Sequence, residues 1–227
     1  LEEANNDIAV EAIVLDINSP GGTPVASAEI ATAVKESNKP TIAWIRDNGA
    51  NGAFWIATAN NYTTANELSM TGSIGVYCSY LEFSNFLTEH NVTYQRMVDG
   101  KYKDLGSPLK EMHEYEEYLL QIKLDKMHDY FIQSVADNKN MSFDEVAIYA
   151  DGQLLLGTEA YEAGFVDELG SKKEITNYLL TKNITADYYY LKKDTSFANM
   201  LTSFVSKHGF SIGQGLAMEL QQESFNV

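Results

Sequence analysis

The sequence is poor in cysteine, in basic residues and in long apolar runs. Its one cysteine, Cys78, excludes an internal disulfide and a zinc site built from several cysteines. With 16 basic against 32 acidic residues, the net charge of -16 argues against binding nucleic acid or anionic lipid through the folded surface. No apolar run approaches the roughly 18 residues that a membrane-spanning helix needs.

Histidine is also scarce, and its positions exclude common catalytic arrangements. His90, His113 and His128 lie in or beside predicted helices, and His208 adjoins the C-terminal tail. None follows a strand on a turn, and no spacing of histidine and carboxylate is typical of a catalytic zinc helix. The sequence therefore predicts neither a histidine-based triad nor a metal or cofactor site.

Alternating strands and helices are what the sequence does contain. Residues 10–17 are nearly continuous in apolar character, as in a strand covered on both faces, and a glycine turn and a helix lead to the strand Thr41 to Ile45. Further strands are predicted at residues 71–78, with Cys78 as a packed apolar residue, and at residues 93–98. This order predicts an α/β fold with a mostly parallel sheet.

The second half of the chain is predicted to be mainly helical. Residues 114–137 form the longest predicted helix, within a helical extension at about residues 108–150. A late strand at residues 188–191 would close the domain. Apolar residues then repeat at helical spacing within residues 192–209, which predicts an amphipathic C-terminal helix, and a mobile tail follows at 210–227.

One glycine-flanked turn carries the functional prediction. The stretch Asp47 to Ala57 follows an apolar strand and opens a short apolar helix. A polar residue on such a turn has its side chain pushed out at the carboxyl edge of the sheet, beside free backbone N–H groups of the new helix. The residue at the apex is Asn51, which has no nucleophilic hydroxyl, thiol or amine.

Three further motifs lie in register with this turn: Asn18 to Gly22, Thr71 to Gly75, and Gly100 to Asp104. Together the four stretches resemble the signal peptide peptidase A family, membrane-associated serine proteases with a serine/lysine dyad on a crotonase-like or Clp-protease-like fold. The resemblance runs from Leu1 to about Leu191 and places the crotonase-like domain at residues 1–191. Asn51 stands where the family pattern has its serine.

The resemblance implies a role for each motif. Lys103 would be the general base, and Ser73 would hydrogen-bond and orient it. The backbone N–H groups of Gly22 and Gly52 would form the oxyanion hole. A substrate peptide would lie as an added strand near Gly21.

The resemblance also implies partners and a location. The family cleaves remnant signal peptides and other extended hydrophobic segments at the outer face of a membrane. The resemblance implies a ring or dome of subunits, such as an octamer, in which the nucleophile of one subunit meets the lysine of its neighbour. The present chain would be a soluble fragment whose N-terminal membrane anchor lies upstream.

Each motif has a simpler explanation when it is taken alone. Asn51 could be a helix N-cap, since asparagine is among the best residues there. Lys103, like Lys101 and Lys110, could be a solvated surface lysine. The two glycines could mark only a turn, and Ser73 could be only a hydroxyl at a strand edge.

Three interpretations of the asparagine remain open: a protease disabled deliberately, by engineering, so that it traps peptides; a natural pseudoenzyme that binds them; and an Asn51-Gly52 pair that deamidates slowly. All three predict negligible peptide hydrolysis by this chain. Two other functions compete with the protease: a non-catalytic peptide-binding scaffold, and an acyl-CoA-handling crotonase relative. The latter would need a basic cluster for the nucleotide phosphates, which the sequence does not show.

Overall fold

The computed structural model describes residues 1–190, and the chain up to Ala186 forms one compact unit. The strands are β1 (Ile13–Ser19), β2 (Thr41–Ala50), β3 (Tyr62–Ala65), β4 (Met70–Gly72), β5 (Leu154–Leu156) and β6 (Glu168–Leu169). The helices are α1 (Glu2–Asn6), α2 (Pro24–Lys35), α3 (Gly52–Thr58), α4 (Ser84–Glu89), α5 (Glu114–Lys139), α6 (Phe143–Ala147), α7 (Gly157–Glu162) and α8 (Lys172–Thr181). The predicted α/β class is confirmed.

The sheet is organised around β2. This strand pairs in parallel with β1 along most of its length, with β3 over Ile42–Ile45 and with β4 over Asn48–Ala50. β6 extends the parallel sheet from β3, and β5 pairs antiparallel with β4. The ends of β1 and β2 therefore lie at the same edge of the sheet, where ligands bind in parallel α/β folds.

The hydrophobic core packs α3 against the sheet and the end of α5. Phe54 and Phe165 are fully buried, and their rings meet edge to face with centroids 5.5 Å apart. Trp55 stacks on Phe131 of α5 at 4.9 Å. Buried aromatic pairs of this kind contribute large apolar areas, so they fix the helix that follows the apex turn.

Only the C-terminal half of α5 belongs to this core. Phe131 and Val135 are buried, whereas Tyr118 and Met127 are exposed. The helix ends at Asn140 in the left-handed conformation, with φ of 55°. The predicted apolar face of this helix is therefore covered over its last turns only, and the first turns extend beyond the core.

The strand before the apex turn is longer than predicted. The sequence pattern ended this strand at Ile45, because Asp47 to Gly49 are typical turn residues, but β2 continues to Ala50. The extension exists because its last three residues pair with β4. As a result the turn is reduced to Asn51 itself.

Two predicted strands are wrong. β4 ends at Gly72, because Gly72 and Ser73 take positive φ values of 69° and 52° that end the extended conformation. Residues 93–98 are largely exposed and form no strand, since no strand of residues 1–190 pairs with them. Cys78 lies outside any strand and is exposed, so its predicted packing role is also wrong.

Other differences concern element ends and the C-terminal region. Residues 84–89 form the short helix α4, and the sequence pattern did not predict β5. Residues 188–190 of the predicted late strand are not in a strand. The predicted helix at 192–209 and the tail at 210–227 lie outside the described residues. Among the helices of residues 1–190, none has the length and apolar character to cross a membrane.

Candidate active site

Asn51 occupies a strained position between β2 and α3. Its backbone has φ of 51° and ψ of -126°, a region that non-glycine residues rarely adopt and that the nucleophile of a strand-turn-helix elbow requires. The Asn51 N–H donates to the Gly72 carbonyl at 2.8 Å, and its carbonyl accepts from the Trp55 N–H at 3.0 Å. These bonds hold the apex in place from both sides.

The glycine loop after β1 packs directly against this apex. A Cβ atom on Gly21, where φ is 111°, would lie 2.8 Å from both the Asn51 Cβ and the Gly52 backbone nitrogen. A Cβ atom on Gly52 would lie 3.2 Å from the Gly22 nitrogen and would clash with the Ser27 hydroxyl. Glycine is therefore required at both positions. Because glycine has no side chain, the backbone of the glycine loop can approach the backbone of the apex turn closely.

The two predicted oxyanion donors lie side by side and are free. Within residues 1–190, neither the Gly22 N–H nor the Gly52 N–H donates a hydrogen bond to a protein acceptor. Gly52 is the first residue of α3, where helical N–H groups have no partner in the helix. Two such donors beside an apex residue can stabilise a negatively charged oxygen.

The Asn51 side chain is engaged with the neighbouring segment. Its Nδ2 donates to the Ser73 carbonyl at 3.1 Å and to the Gly75 carbonyl at 2.7 Å. The Ser73 N–H in turn donates to the Gln153 carbonyl at 2.7 Å. The asparagine amide thus ties the apex to residues 73–75, which a serine hydroxyl at this position would be too short and too poor in donors to do equally.

A pocket of about 110 Å³ opens beside the apex. Its lining comes from the glycine loop, α2, α3, the segment after β4 and α5: Gly22, Pro24, Ser27, Asn51, Gly52, Trp55, Gly75, Val76, Tyr77, Met127 and Phe131. The position of Ser27 and Trp55 in the lining of this pocket was not predicted from the sequence. The spacing of Met127 and Phe131 by one helical turn was visible, but nothing in the sequence indicated that they face the apex.

Lys103 lies outside this pocket. It is exposed, its N–H closes a turn onto the Gly100 carbonyl at 2.9 Å, and it does not line the pocket. The Lys101 amine lies 5.0 Å from the centre of the Tyr102 ring, and the Lys110 amine pairs with Glu116 at 2.6 Å. Within residues 1–190, the Lys103 amine has no ion pair or hydrogen bond.

The fold of one chain therefore assembles most of the predicted site. Asn51, Gly21, Gly22, Gly52 and Ser73 come together at the carboxyl edge of the sheet, and Lys103 remains outside the pocket. Within residues 1–190, no group of three or more histidine, cysteine, aspartate or glutamate side chains is arranged to hold a metal ion.

A polar apex between strand and helix, facing unpaired glycine amides, is the arrangement used by α/β hydrolases that act through a nucleophile on such a turn. The chain belongs to peptidase family S49, whose family model matches residues 33–183. This match confirms the resemblance to the signal peptide peptidase A family.

Three relatives show how far the similarity extends. A Methanocaldococcus jannaschii protein named "Putative protease" is 28% identical over 95% of this chain and 65% of its own length. An Enterococcus faecium "Putative signal peptide peptidase SppA" is 31% identical over 91% of this chain and 60% of its own length. "Protease 4" of Haemophilus influenzae is 29% identical over 78% of this chain. The chain thus spans less than two thirds of the length of these relatives.

Proposed function

We propose that this chain is the catalytic-type domain of an S49 serine endopeptidase, built on a serine/lysine dyad, that binds extended hydrophobic peptides such as remnant signal peptides. The chain itself does not cut them, because Asn51 occupies the nucleophile position. The observation that carries this proposal is the backbone geometry of Asn51, with its φ of 51° and ψ of -126° beside the Gly22 and Gly52 amides.

The chemistry of the position explains the inactivity. Peptide hydrolysis through a covalent intermediate needs a nucleophile, a base that removes its proton, and donors for the oxyanion. A carboxamide has no acidic hydroxyl to activate, and its nitrogen lone pair is delocalised into the carbonyl. Binding and oxyanion stabilisation would therefore remain while bond cleavage is lost.

The bound peptide would lie as an added strand between the glycine loop and the segment after β4. Gly22 leaves open space in front of its backbone, and Gly75, Val76 and Tyr77 line the other side of the pocket. A pocket of about 110 Å³ floored by Trp55 suits a small or medium apolar side chain. Main-chain hydrogen bonds would supply affinity, and the pocket would supply the preference.

Lys103 would act in a site completed by another subunit of a ring. Its exposure and its free amine support this assignment, since a base that serves its own chain would face its own pocket. Large apolar side chains of the same stretch of chain, residues 73–113, are exposed as well, among them Tyr77, Leu81 and Met97. Such residues on a chain with net charge -16 favour a protein surface as the partner.

We also propose that the protein works at the outer face of a membrane, held there by an anchor upstream of Leu1. The hydrophobic character of the expected substrates supports this location, because signal peptide remnants reside in or near the lipid.

Restoring the nucleophile tests the proposal. The Asn51→Ser variant is assayed with fluorogenic peptides that carry small or apolar residues before the scissile bond. We expect hydrolysis that the unaltered chain lacks, and a loss of about 100-fold or more when Lys103→Ala is added. The matched control is Lys101→Ala, which removes a nearby lysine and should leave activity within about twofold of the Asn51→Ser variant.

Two results would overturn the assignment. The first is peptide hydrolysis by the unaltered chain that survives Lys103→Ala. The second is an Asn51→Ser variant that folds and binds peptide yet cleaves none of the peptides; this result would favour a peptide-binding scaffold subunit.

A further inference from the structure

Four charged side chains around Lys103 form a continuous ion-pair network, which we call the Asp104 clamp: Arg96, Asp104, Lys110 and Glu116. Arg96 donates from Nε to Asp104 Oδ2 at 2.5 Å and from a terminal nitrogen to Oδ1 at 2.9 Å. Lys110 lies 3.6 Å from the same carboxylate and donates to both Glu116 oxygens at 2.6 and 2.9 Å. This bidentate contact fixes the orientation of the Asp104 carboxylate relative to the Arg96 guanidinium as well as their distance.

The clamp is anchored in α5. Glu116 is 4% exposed, lies in the first turn of that helix and also accepts from the His113 N–H at 3.2 Å. The side chains of Lys110 and Asp104 are 16% and 15% exposed. Glu116 therefore connects the rigid helix, through Lys110, to the carboxylate of Asp104, the residue immediately after Lys103.

The backbone around Lys103 depends on this connection. Residues 100–107 form successive turns, in which the Lys103 N–H donates to Gly100 and the Ser107 N–H donates to Asp104. They include no strand or helix, so the sheet does not hold them. Side-chain contacts must therefore hold residues 100–107 in place, as backbone hydrogen bonds between strands do in the sheet.

We propose that the Asp104 clamp positions Lys103 for its role as general base: it fixes the turn that carries the lysine, and it keeps the Asp104 carboxylate away from the lysine amine. This inference rests on the proposed function. Arg96, Asp104, Lys110 and Glu116 are positioning residues, since none of them touches the pocket.

The second part of this role follows from the chemistry of a lysine base. A lysine accepts a proton only when its amine is neutral, and a carboxylate within ion-pair distance stabilises the charged form instead. Asp104 adjoins Lys103 in sequence and would be its nearest acidic partner. Because Arg96 and Lys110 hold that carboxylate, the amine of Lys103 stays unpaired.

The titration of the network agrees with this arrangement. The Arg96 guanidinium, with a smaller contribution from Lys110, holds the pKa of the Asp104 carboxyl well below its usual range. The hydrogen bond from Lys110 likewise lowers the pKa of Glu116, and the hydrogen bond from the His113 N–H lowers it further. The Asp104 carboxylate raises the pKa of Arg96, with lesser contributions from Glu116 and Tyr94. The network therefore stays fully ionised at neutral pH.

Two variants in the Asn51→Ser background separate positioning from simple structural support. Asp104→Asn removes the clamp and its carboxylate, so we expect kcat to fall about tenfold with KM nearly unchanged and the pH profile in place. Arg96→Gln releases the carboxylate beside Lys103, so we expect a similar fall together with a shift of the acidic limb of kcat to higher pH by about one unit. Adding Asp104→Asn to Arg96→Gln should abolish that shift.

The conservative variant and a matched control complete the test. Asp104→Glu keeps the charge and should recover at least part of the activity lost in Asp104→Asn. Asp16→Asn removes a different ion pair, with Arg46 at 3.5 Å, and should leave kcat within about twofold. Identical pH profiles in Arg96→Gln and Asp104→Asn would overturn the proposal.

A measurement without turnover separates failure of the clamp from failure of the proposed function. Hydrogen exchange of residues 100–107 in the chain that keeps Asn51 should become at least about tenfold faster with Asp104→Asn. Unchanged exchange would refute the clamp whatever the activity. A different result would be faster exchange together with an Asn51→Ser variant whose activity does not change when Lys103→Ala is added. That result would refute Lys103 as the base and, with it, the positioning role.

Discussion

The two halves of the candidate site are built in different ways. The apex of Asn51, Gly21 and Gly52 is held by a parallel sheet, by close backbone packing and by a buried aromatic core. The segment from residue 73 to residue 113 contains one short helix, exposes most of its large apolar side chains and carries Lys103 on turns held by ion pairs.

This difference shows which half can form within a single chain. Packing fixes the backbone of the apex within one chain, because its contacts come from the sheet, the glycine loop and the helices of that chain. Within residues 73–113, α4 is the one regular element, ion pairs link the turns around Asp104, and the exposed apolar side chains have no cover within residues 1–190. The comparison predicts that substitutions in the first half affect folding, and that substitutions in the second affect assembly and catalysis.

The largest expected contrast is between two phenylalanines. Phe54 is 0% exposed and packs on Phe165, so Phe54→Ala should lower the free energy of unfolding by about 4 kcal/mol. Phe86 is 55% exposed, and Phe86→Ala should cost less than about 1 kcal/mol. Urea unfolding of both variants measures the difference, and similar losses would show that the second region is as firmly packed as the first.

A second contrast uses two glycines with positive φ. Gly21→Ala adds a Cβ only 2.8 Å from the Asn51 Cβ and the Gly52 backbone nitrogen, so we expect a loss of about 3 kcal/mol and loss of peptide binding. Gly106→Ala meets nothing within 4 Å and has only the cost of its φ of 78°, about 1 kcal/mol. Thermal unfolding and peptide titration would test both, and a Gly21→Ala variant that binds peptide normally would contradict the close packing at the apex.

Asn51→Ser should lower stability even as it creates activity. The substitution removes the two hydrogen bonds from Nδ2 to Ser73 and Gly75, and it leaves a non-glycine residue at the same strained φ. We expect a loss of about 1 to 2 kcal/mol in the free energy of unfolding. Denaturant unfolding measures it, with Asn85→Ser, at an exposed position of α4, as the comparison. No loss of stability would mean that the amide contributes little to holding residues 73–75.

Acid should loosen the lysine segment before the apex. The pKa values of Asp104 and Glu116 are lowered in the folded chain, so the unfolded chain binds protons more readily near pH 4. Their contribution to stability is therefore complete above about pH 5 and is lost as the pH falls towards their folded pKa values. Hydrogen exchange between pH 6 and pH 3, corrected for intrinsic rates, should show residues 100–107 opening first, and Asp104→Asn should weaken this pH dependence and leave the part due to Glu116.

The sequence predicted the fold well where local patterns and pairing agree. The apolar strands β1 and β2, the helices α2 and α5, and the apex turn follow from periodicity and glycine placement. The predicted strand at residues 93–98 is wrong, although its residues favour extended structure, because a strand also needs a pairing partner and residues 1–190 supply none. β5 is too short, with three residues, for its pattern to stand out.

The candidate site was predictable in its backbone and less so in its side chains. The glycines and Asn51 could be found because their conformations demand particular residues. Ser27, Trp55 and Phe131 could not, since they reach the pocket through packing between distant elements. The links from Arg96 and Glu116 to Asp104 likewise depend on the path of a segment with little regular structure.

Mixing two inactive chains tests most directly whether the halves meet between subunits. The unaltered chain has Lys103 and lacks the nucleophile, and the Asn51→Ser/Lys103→Ala variant has the nucleophile and lacks the base. If each site takes its lysine from a neighbour, peptide hydrolysis should appear when the two chains are allowed to exchange subunits. A mixture as inactive as its components, alongside an active Asn51→Ser homo-oligomer, would contradict the account.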